Sequence, residues 1–372
     1  MASQGEEVNS DELRKNARKG ALKANKKPAA SNTTTYVAVG IFGVLVAVVI
    51  GLLILNPERP LSLIPALDEE FIKQQNELKL GFTQKANNFF NNWSLADVKS
   101  ISQIGISQQA RNMPPCTTYM NEGELLPPFY DVREKFPFCI KEVQVQGNCS
   151  SSNAFATASV ASERFCIKSD NKVIINLSPQ ELVSCNKRNT GCTTGNMDST
   201  WSYVRDSGLV EDYCFPYTSD SSEVADCKKR CDNGISYHVK DVCATASEAG
   251  LMREIQNNGP VVALMQLYSD FVGYSSGVYE PHIAAVRVQG AQAVEVMGWG
   301  NTEAGVPYWI IKNTWGTTWG IEGYAMVIRG NKDLGLEDLA VTAFPVITED
   351  MVSNVNIQQT EEFEDLDAHE DS

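Results

Sequence analysis

The chain has 372 residues, of which 43% are hydrophobic and 21% charged, so most of it can fold around an apolar core. Its formal net charge of −15 argues against a nucleic-acid-binding protein, because such proteins present a basic surface. All ten cysteines follow residue 55. Their number is high for a cytosolic enzyme, and the even count predicts disulfides formed in an oxidising compartment.

The two ends of the chain differ in charge. Residues 1–35 contain seven basic and four acidic side chains and read as a disordered basic tail. Residues 348–372 contain nine acidic side chains and no lysine or arginine, and they read as an acidic disordered tail.

Residues 36–55, YVAVGIFGVLVAVVIGLLIL, form 20 consecutive uncharged positions, enough to cross a bilayer as one helix. A cleaved signal peptide is the alternative, but 35 residues precede the run and no small-residue cleavage site follows it. The basic side chains before the span keep that end in the cytosol. The sequence therefore predicts a single-pass type II membrane protein, with its C-terminal part in an endomembrane or lysosomal lumen or outside the cell.

Residues 66–100 have apolar positions at helical spacing, namely Leu67, Phe71, Leu78 and Phe82. The run Ser94–Asp97 is typical of a capped helix start. Sequons at Asn92 and Asn176 predict N-glycosylation on the lumenal side. From about residue 126 the pattern changes to short strands and loops.

Three segments then carry a family resemblance. Residues 146–155 read QGNCSSSNAF, residues 292–300 read QAVEVMGWG, and residues 308–320 read YWIIKNTWGTTWG. In order and spacing they resemble the Q-G-x-C-G-S-C-W-A-F, H-A-V/I…G-W/Y-G and Y-W…K-N-S-W-G-x-x-W-G segments of papain-type cysteine proteases, most of all the cathepsin B branch. The resemblance implies an α+β, papain-like two-lobed fold, with a helical left lobe and an antiparallel β right lobe. A single transmembrane helix and a short helical prosegment precede that fold.

Charge and hydropathy at the ends of the chain, together with the resemblance, predict how the chain is divided. Residues 1–35 are the cytosolic tail, 36–55 the signal anchor, and 56–125 a linker and propeptide-like segment. Residues 126–347 are the papain-like domain, and 348–372 the acidic tail. In the family, the propeptide runs backwards through the substrate cleft and is later removed.

The resemblance assigns the nucleophile position to Ser152 and the base position to Gln292, whereas the family has cysteine and histidine there. The orienting Asn313 and the oxyanion-side Gln146 are retained. A serine hydroxyl needs a base within hydrogen-bond reach, and a glutamine amide cannot take up a proton at physiological pH. The departures predict a catalytically inactive protein with a protease fold.

The substrate cleft is expected to persist. Gly195 matches the family glycine that hydrogen-bonds the substrate backbone, and Thr194 replaces the glycine before it. Trp315 and Trp319 retain the aromatic wall. Leu339 replaces an acidic residue at the floor of the second substrate pocket, which is therefore expected to favour apolar side chains.

The cysteines fit the same resemblance, which implies the pairs Cys139–Cys166, Cys149–Cys192, Cys185–Cys227 and Cys214–Cys231. Cys116 and Cys243 are left over; they could pair or stay free. The sequence predicts no cofactor, and no His and Cys residues have metal-ligand spacing.

Three functions remain open from the sequence. The first is a membrane-anchored binding protein whose cleft or surface holds a peptide, a protease inhibitor or an active protease. The second is a weak hydrolase that uses Ser152 with His282 or another base. The third is a structural or trafficking role of the anchor and tails. Nucleic acid is not an expected partner.

Overall fold

The computed structural model describes residues 60–116, 125–228, 231 and 235–352. The predicted basic tail and the predicted span 36–55 lie outside these ranges, and among the described residues no helix is long and apolar enough to cross a membrane. Residues 353–372 of the acidic tail also lie outside them. Met351 is buried, so the packed chain continues past the predicted domain boundary at residue 347.

The described helices are short except for one. In chain order they are α1 (Glu69–Glu77), α2 (Leu95–Ser100), α3 (Val132–Lys135), α4 (Ser152–Lys168), α5 (Pro179–Cys185), α6 (Met197–Ser207) and α7 (Glu248–Asn258). Single 3₁₀ turns cover Leu61–Leu63, Ala110–Asn112 and Pro137–Cys139.

The strands are β1 (Phe82–Gln84), β2 (Ile104–Gly105), β3 (Tyr130–Asp131), β4 (Gly195–Asn196), β5 (Val239–Thr245), β6 (Val261–Tyr268), β7 (Tyr274–Tyr279), β8 (Arg287–Asn301), β9 (Pro307–Lys312), β10 (Tyr324–Ile328) and β11 (Ala340–Pro345). Nine of them form one sheet in the order β1-β7-β10-β9-β8-β6-β11-β5, with β3 on β8. Neighbours are antiparallel except β7 and β10. Strands β2 and β4 pair separately, in parallel.

Residues 60–116, called the prosegment below, are less helical than their apolar spacing predicts. Helix α1 ends at Glu77, and Lys79 and Gly81 adopt left-handed backbone angles (φ 54° and 68°) that no helix continues through. Phe82 then lies in β1, where it packs edge-on against Tyr279 with ring centroids 5.1 Å apart. Strand pairing and this aromatic contact outweigh the local helical pattern.

The second prosegment helix begins where the sequence indicates. Ser94 accepts a hydrogen bond from the Asp97 N–H at 3.3 Å, and the Asp97 carboxylate accepts from the Ser94 N–H at 2.8 Å. This reciprocal capping box satisfies backbone donors at the start of α2. The helix places Leu95 and Val98 in the core and leads, through a turn at Ile101, into the extended residues 103–105.

Helix α4 is the central element, and fifteen of its seventeen residues are buried. A buried ion cluster joins it to the sheet: Lys312 Nζ lies 2.6 Å from Glu163 Oε1 and 3.2 Å from Glu295 Oε2. Burial lowers the pKa of Lys312, but the two carboxylates outweigh it and hold the pKa above its ordinary value. Burial and the neighbouring Glu163 raise the pKa of Glu295 well above its ordinary value. The cluster fixes α4, β8 and β9, the three elements that carry or adjoin the predicted catalytic positions.

All ten cysteines form disulfides in the structure. The four pairs implied by the resemblance are present, namely Cys139–Cys166, Cys149–Cys192, Cys185–Cys227 and Cys214–Cys231. The two remaining cysteines, Cys116 and Cys243, join each other. This last bond connects the prosegment to β5.

Candidate functional site

The nucleophile position is buried at the start of α4. Ser152 is the first residue of that helix and has no exposed surface. Its Oγ accepts a hydrogen bond from the Ala293 N–H at 3.1 Å. In the part of the chain that the structure describes, no side-chain base hydrogen-bonds to this hydroxyl. The arrangement therefore orients Ser152 but supplies no group that can remove its proton.

Gln292 and Asn313 meet beside it, as the aligned motifs predict. Gln292 Nε2 donates toward Asn313 Oδ1 (3.1 Å), Thr314 Oγ1 (2.9 Å) and Gln146 Oε1 (2.8 Å). Toward Asn313 the amide N–H takes the place of an imidazole N–H, but an amide has no nitrogen that accepts a proton. Gln292 Oε1 and Asn313 Nδ2 are buried and have no hydrogen-bond partner among the described residues. The result is a neutral amide network where an acid–base pair would be needed.

The oxyanion-side residue, Gln146, is fully engaged. Its Nε2 donates to the carbonyl of Cys149 at 2.7 Å and to the carbonyl of Ile101, in the prosegment, at 3.0 Å. Tyr217 donates its hydroxyl to the Gln146 carbonyl at 2.7 Å, and burial raises the pKa of Tyr217 to about 12. Tyr217 thus stays a neutral donor through the physiological range. The donor that would stabilise an oxyanion holds a peptide carbonyl instead.

Prosegment residues 101–105 occupy the cleft, and Gln103 to Gly105 are extended there. The carbonyl of Gln103 accepts from the Gly195 N–H at 3.3 Å and from the Thr194 hydroxyl at 2.7 Å. The Gln103 N–H donates to Ser150 Oγ at 2.9 Å. Residues Ile104 and Gly105 continue as β2, parallel to Gly195 and Asn196. Thr194, which replaces a family glycine, thus contributes a hydrogen bond to the bound segment.

The opposite wall of the cleft holds the same segment. The Ala291 N–H donates to the Ser102 carbonyl at 2.7 Å, one residue before Gln292. Ile104 is buried in an apolar cluster that includes Leu264 and Leu339. Ile104 and Leu339 also line a cavity of 770 Å³, whose wall is shared by charged side chains such as Arg111, Lys332 and Asp338.

The aromatic wall is covered by prosegment side chains. Phe90 has no exposed surface, and its ring meets Trp315 edge-on with centroids 4.7 Å apart. Phe89 stacks on the same indole at 6.3 Å, and Trp319 lies edge-on to it at 5.1 Å. Trp315 is 1% exposed as a result.

Gly195 has little space around it. A Cβ atom added there would lie 2.7 Å from the Nδ2 of Asn153, which stands where the family has tryptophan. Asn153 Nδ2 donates to Thr200 Oγ1 at 2.8 Å, so its position is fixed. A larger residue at position 195 would therefore have to displace the Asn153 amide from this hydrogen bond.

The described histidines are not placed at the candidate site. The backbone N–H of His282 donates to Asp270, and its ring Nδ1 accepts from the Ala284 N–H. His282 precedes β8, whose first residue, Arg287, is five positions or about 16 Å of strand from Gln292. His238 faces the carbonyl of Arg205, and His369 lies outside the described residues. Within the described ranges, no group of three or more His, Cys, Asp or Glu side chains could hold a metal ion.

Two contributors to the cleft were missed by the sequence reasoning. Ser150 stands where the aligned motif has glycine, and Thr314 stands where it has serine. Thr314 donates its hydroxyl to Gln146 Oε1 at 2.6 Å, which helps to hold that amide in place. Both substitutions are visible in the aligned segments, so the signal was available. The predicted glycosylation sites Asn92 and Asn176 are both exposed.

A long buried helix whose first residue contacts a strand of a large sheet, with an N-terminal segment bound in the adjoining cleft, defines the architecture of a thiol protease in its proform. Residues 126–344 match the family described as papain family cysteine protease. The chain belongs to that family.

Relatives fit this assignment. The chain is 33% identical over 247 residues to cathepsin B-like CP2 of Giardia intestinalis, covering 65% of this chain and 81% of that protein. It is 31% identical over 316 residues to tubulointerstitial nephritis antigen-like of Homo sapiens, covering 74% of this chain and 67% of that protein. Among solved structures, procathepsin B S9 from Trypanosoma congolense superposes with a TM-score of 0.69 at 31% identity, covering 76% of this chain and all of that one.

Proposed function

We propose that this chain is a catalytically inactive papain-family protein, anchored in a membrane by residues 36–55, whose cleft holds an extended peptide. The folded domain would lie in an endomembrane lumen or outside the cell. The observation that carries the proposal is the pairing of an occupied cleft with a Ser152 hydroxyl to which no side-chain base of the described residues hydrogen-bonds.

Loss of both reacting groups has a large expected effect. In another protease, loss of one core triad member lowers turnover roughly a millionfold. Here the position of the base carries the Gln292 amide, and Gln146 is bound to a peptide carbonyl. The remaining groups support binding better than chemistry.

The peptide-holding part of the proposal is supported by how residues 101–105 are bound. Their backbone forms hydrogen bonds to Gly195, Thr194, Ser150, Ala291 and Gln146. Main-chain contacts of this kind accept many sequences, while the apolar side chains around Ile104, including Leu264 and Leu339, favour one apolar side chain. An extended peptide with an isoleucine-like residue fits this cleft.

The test displaces the resident segment and supplies it from outside. Ile104→Asp places a carboxylate among buried apolar side chains and is expected to expel residues 101–105. A labelled peptide of residues 99–107 should then bind to this variant and not to the unmodified chain. Ile174→Asp changes an isoleucine that is 43% exposed and should leave the cleft closed.

A second substitution shows whether the peptide binds in the cleft. Gly195→Trp in the Ile104→Asp background fills the strip beside Asn153 and should abolish the binding. Circular dichroism and tryptophan fluorescence confirm that each variant remains folded. Folded Ile104→Asp chain that does not bind the peptide, or binding that persists in the double variant, would contradict the proposal.

A further inference from the structure

The disulfide Cys116–Cys243 is unlike the other four. Those four lie between residues 139 and 231, within the papain-like domain. Cys116 is the last described residue before the segment 117–124, and Cys243 lies on β5. This disulfide therefore joins the prosegment covalently to the domain that it covers.

The prosegment contacts both ends of the large sheet. At one end, β1 pairs with β7, with Phe82 opposite Gly277. At the other end, Pro115 forms a parallel β-bridge with Ala244 in β5. The Cys116 N–H donates to the Ala244 carbonyl at 3.0 Å, and the Ala244 N–H donates to the Pro114 carbonyl at 3.0 Å. Residues 101–105 lie between these two contacts, in the cleft.

From this geometry we propose that the Cys116–Cys243 disulfide is a covalent latch that keeps the prosegment in the cleft. If the polypeptide is cut within residues 117–124, the prosegment stays bound through this disulfide. The cleft then opens to other peptides only when the disulfide is reduced. The inference rests on the proposed peptide-holding function. A cut in 117–124 breaks the polypeptide but leaves two chains joined through sulfur. The prosegment would still be present at a high effective concentration, which a free peptide cannot match.

The same bond affects release from the membrane. The proposed anchor precedes the prosegment, so cleavage in 117–124 would normally free the domain from it. With the disulfide intact, the cut domain remains attached to the anchor. Release then requires two events, one proteolytic and one reductive.

A dithiol can reduce this bond, and its two sulfurs then complete the exchange. Cys243 is 4% exposed whereas Cys116 is partly exposed, so an incoming thiolate reaches the Cys116 sulfur. It forms a mixed disulfide there and displaces the Cys243 thiolate. The second thiol of the reductant then displaces Cys116 and leaves as a disulfide. Two electrons and two protons convert the latch to two thiols.

The experiment uses the full chain with a specific-protease recognition sequence placed within 117–124. After complete cutting, the two fragments should migrate together on a non-reducing denaturing gel and apart on a reducing one. A Cys116→Ser/Cys243→Ser chain, cut in the same way, should lose the prosegment on native size-exclusion chromatography after dilution. Cys185→Ser/Cys227→Ser is the matched control, because it removes a disulfide within the domain, and it should retain the prosegment.

The labelled peptide of residues 99–107 reports whether the cleft is open. Cutting should raise the apparent affinity of the Cys116→Ser/Cys243→Ser chain for this peptide at least about 100-fold. In the parent chain, whose disulfide is intact, the affinity for the peptide after cutting should stay within twofold of its value before cutting. Separation of the cut parent without reductant, or retention of the prosegment by the cut serine variant, would overturn the latch. Departure of the prosegment without peptide binding would support the latch and refute the proposed peptide-holding function.

Discussion

Phe90→Ala tests whether the prosegment is part of the folded core. The Phe90 ring has no exposed surface and lies 4.7 Å from Phe89, 5.5 Å from Trp93 and 4.7 Å from Trp315, measured between ring centroids. Truncating a fully buried phenylalanine to alanine costs about 3–5 kcal/mol. Because three aromatic contacts are lost as well, we expect the free energy of unfolding to fall by the upper half of that range.

The assay is urea unfolding of the purified chain, followed by tryptophan fluorescence. Phe138→Ala provides the matched control, because Phe138 is 76% exposed and its truncation should change the free energy of unfolding by less than about 1 kcal/mol. If both substitutions have the same small effect, the prosegment does not unfold together with the domain, and the reasoning from its burial is refuted.

Two more predictions concern the buried charges and the missing base. The folded state holds a proton on Glu295 that the unfolded chain releases above about pH 4.5, because burial raises the pKa of this carboxyl. The free energy of unfolding should therefore fall by about 1.4 kcal/mol per pH unit as pH rises from 4.5 toward the folded-state pKa of Glu295. This fall is measured from urea unfolding midpoints, and Glu295→Gln should remove it. Glu303→Gln, which changes an exposed carboxyl, should retain it. The missing base is tested with two variants in the Ile104→Asp background, Ser152→Cys alone and Ser152→Cys with Gln292→His. At pH 6 iodoacetamide should alkylate the second variant at least about tenfold faster than the first, because a neighbouring imidazolium favours the thiolate form of the cysteine. Equal alkylation rates would show that the base position no longer faces residue 152.

The relative placement of the catalytic positions was predictable because it depends on motif register. Once Cys149 and Phe155 bracket the first segment, Ser152 is fixed at the helix start. The other two segments then bring Gln292 and Asn313 to the same place, where the structure puts them within 3.1 Å of each other. The family resemblance supplied this placement, since the three positions lie far apart in the sequence.

The prosegment could be predicted less well, because its structure depends on distant partners. The apolar spacing of residues 66–82 indicates a helix, but Phe82 is extended since Gly277 offers a strand edge and Tyr279 an aromatic face. The partner of Cys116 also remained open. Cys243 is 127 residues away, and nothing local reveals that β5 lies beside Pro115.

The hydrogen bonds of the cleft show the same limit. Thr194 is visible in the sequence only as a departure from the family glycine, and the structure shows its hydroxyl donating to the Gln103 carbonyl. Ser150 and Thr314 look like neutral replacements in the sequence. Their roles appear only when the bound segment and the Gln146 amide are placed beside them.

Absence of catalysis is the central claim, and peptide hydrolysis tests it most directly. The purified chain, the Ile104→Asp variant with its cleft open, and Ile104→Asp/Ser152→Ala should be assayed with broad cathepsin substrates between pH 4 and 8. The account predicts background turnover in all three, with no difference on removal of the serine. Turnover by the open-cleft variant that disappears with Ser152→Ala would contradict it and would reveal a base that reaches this hydroxyl.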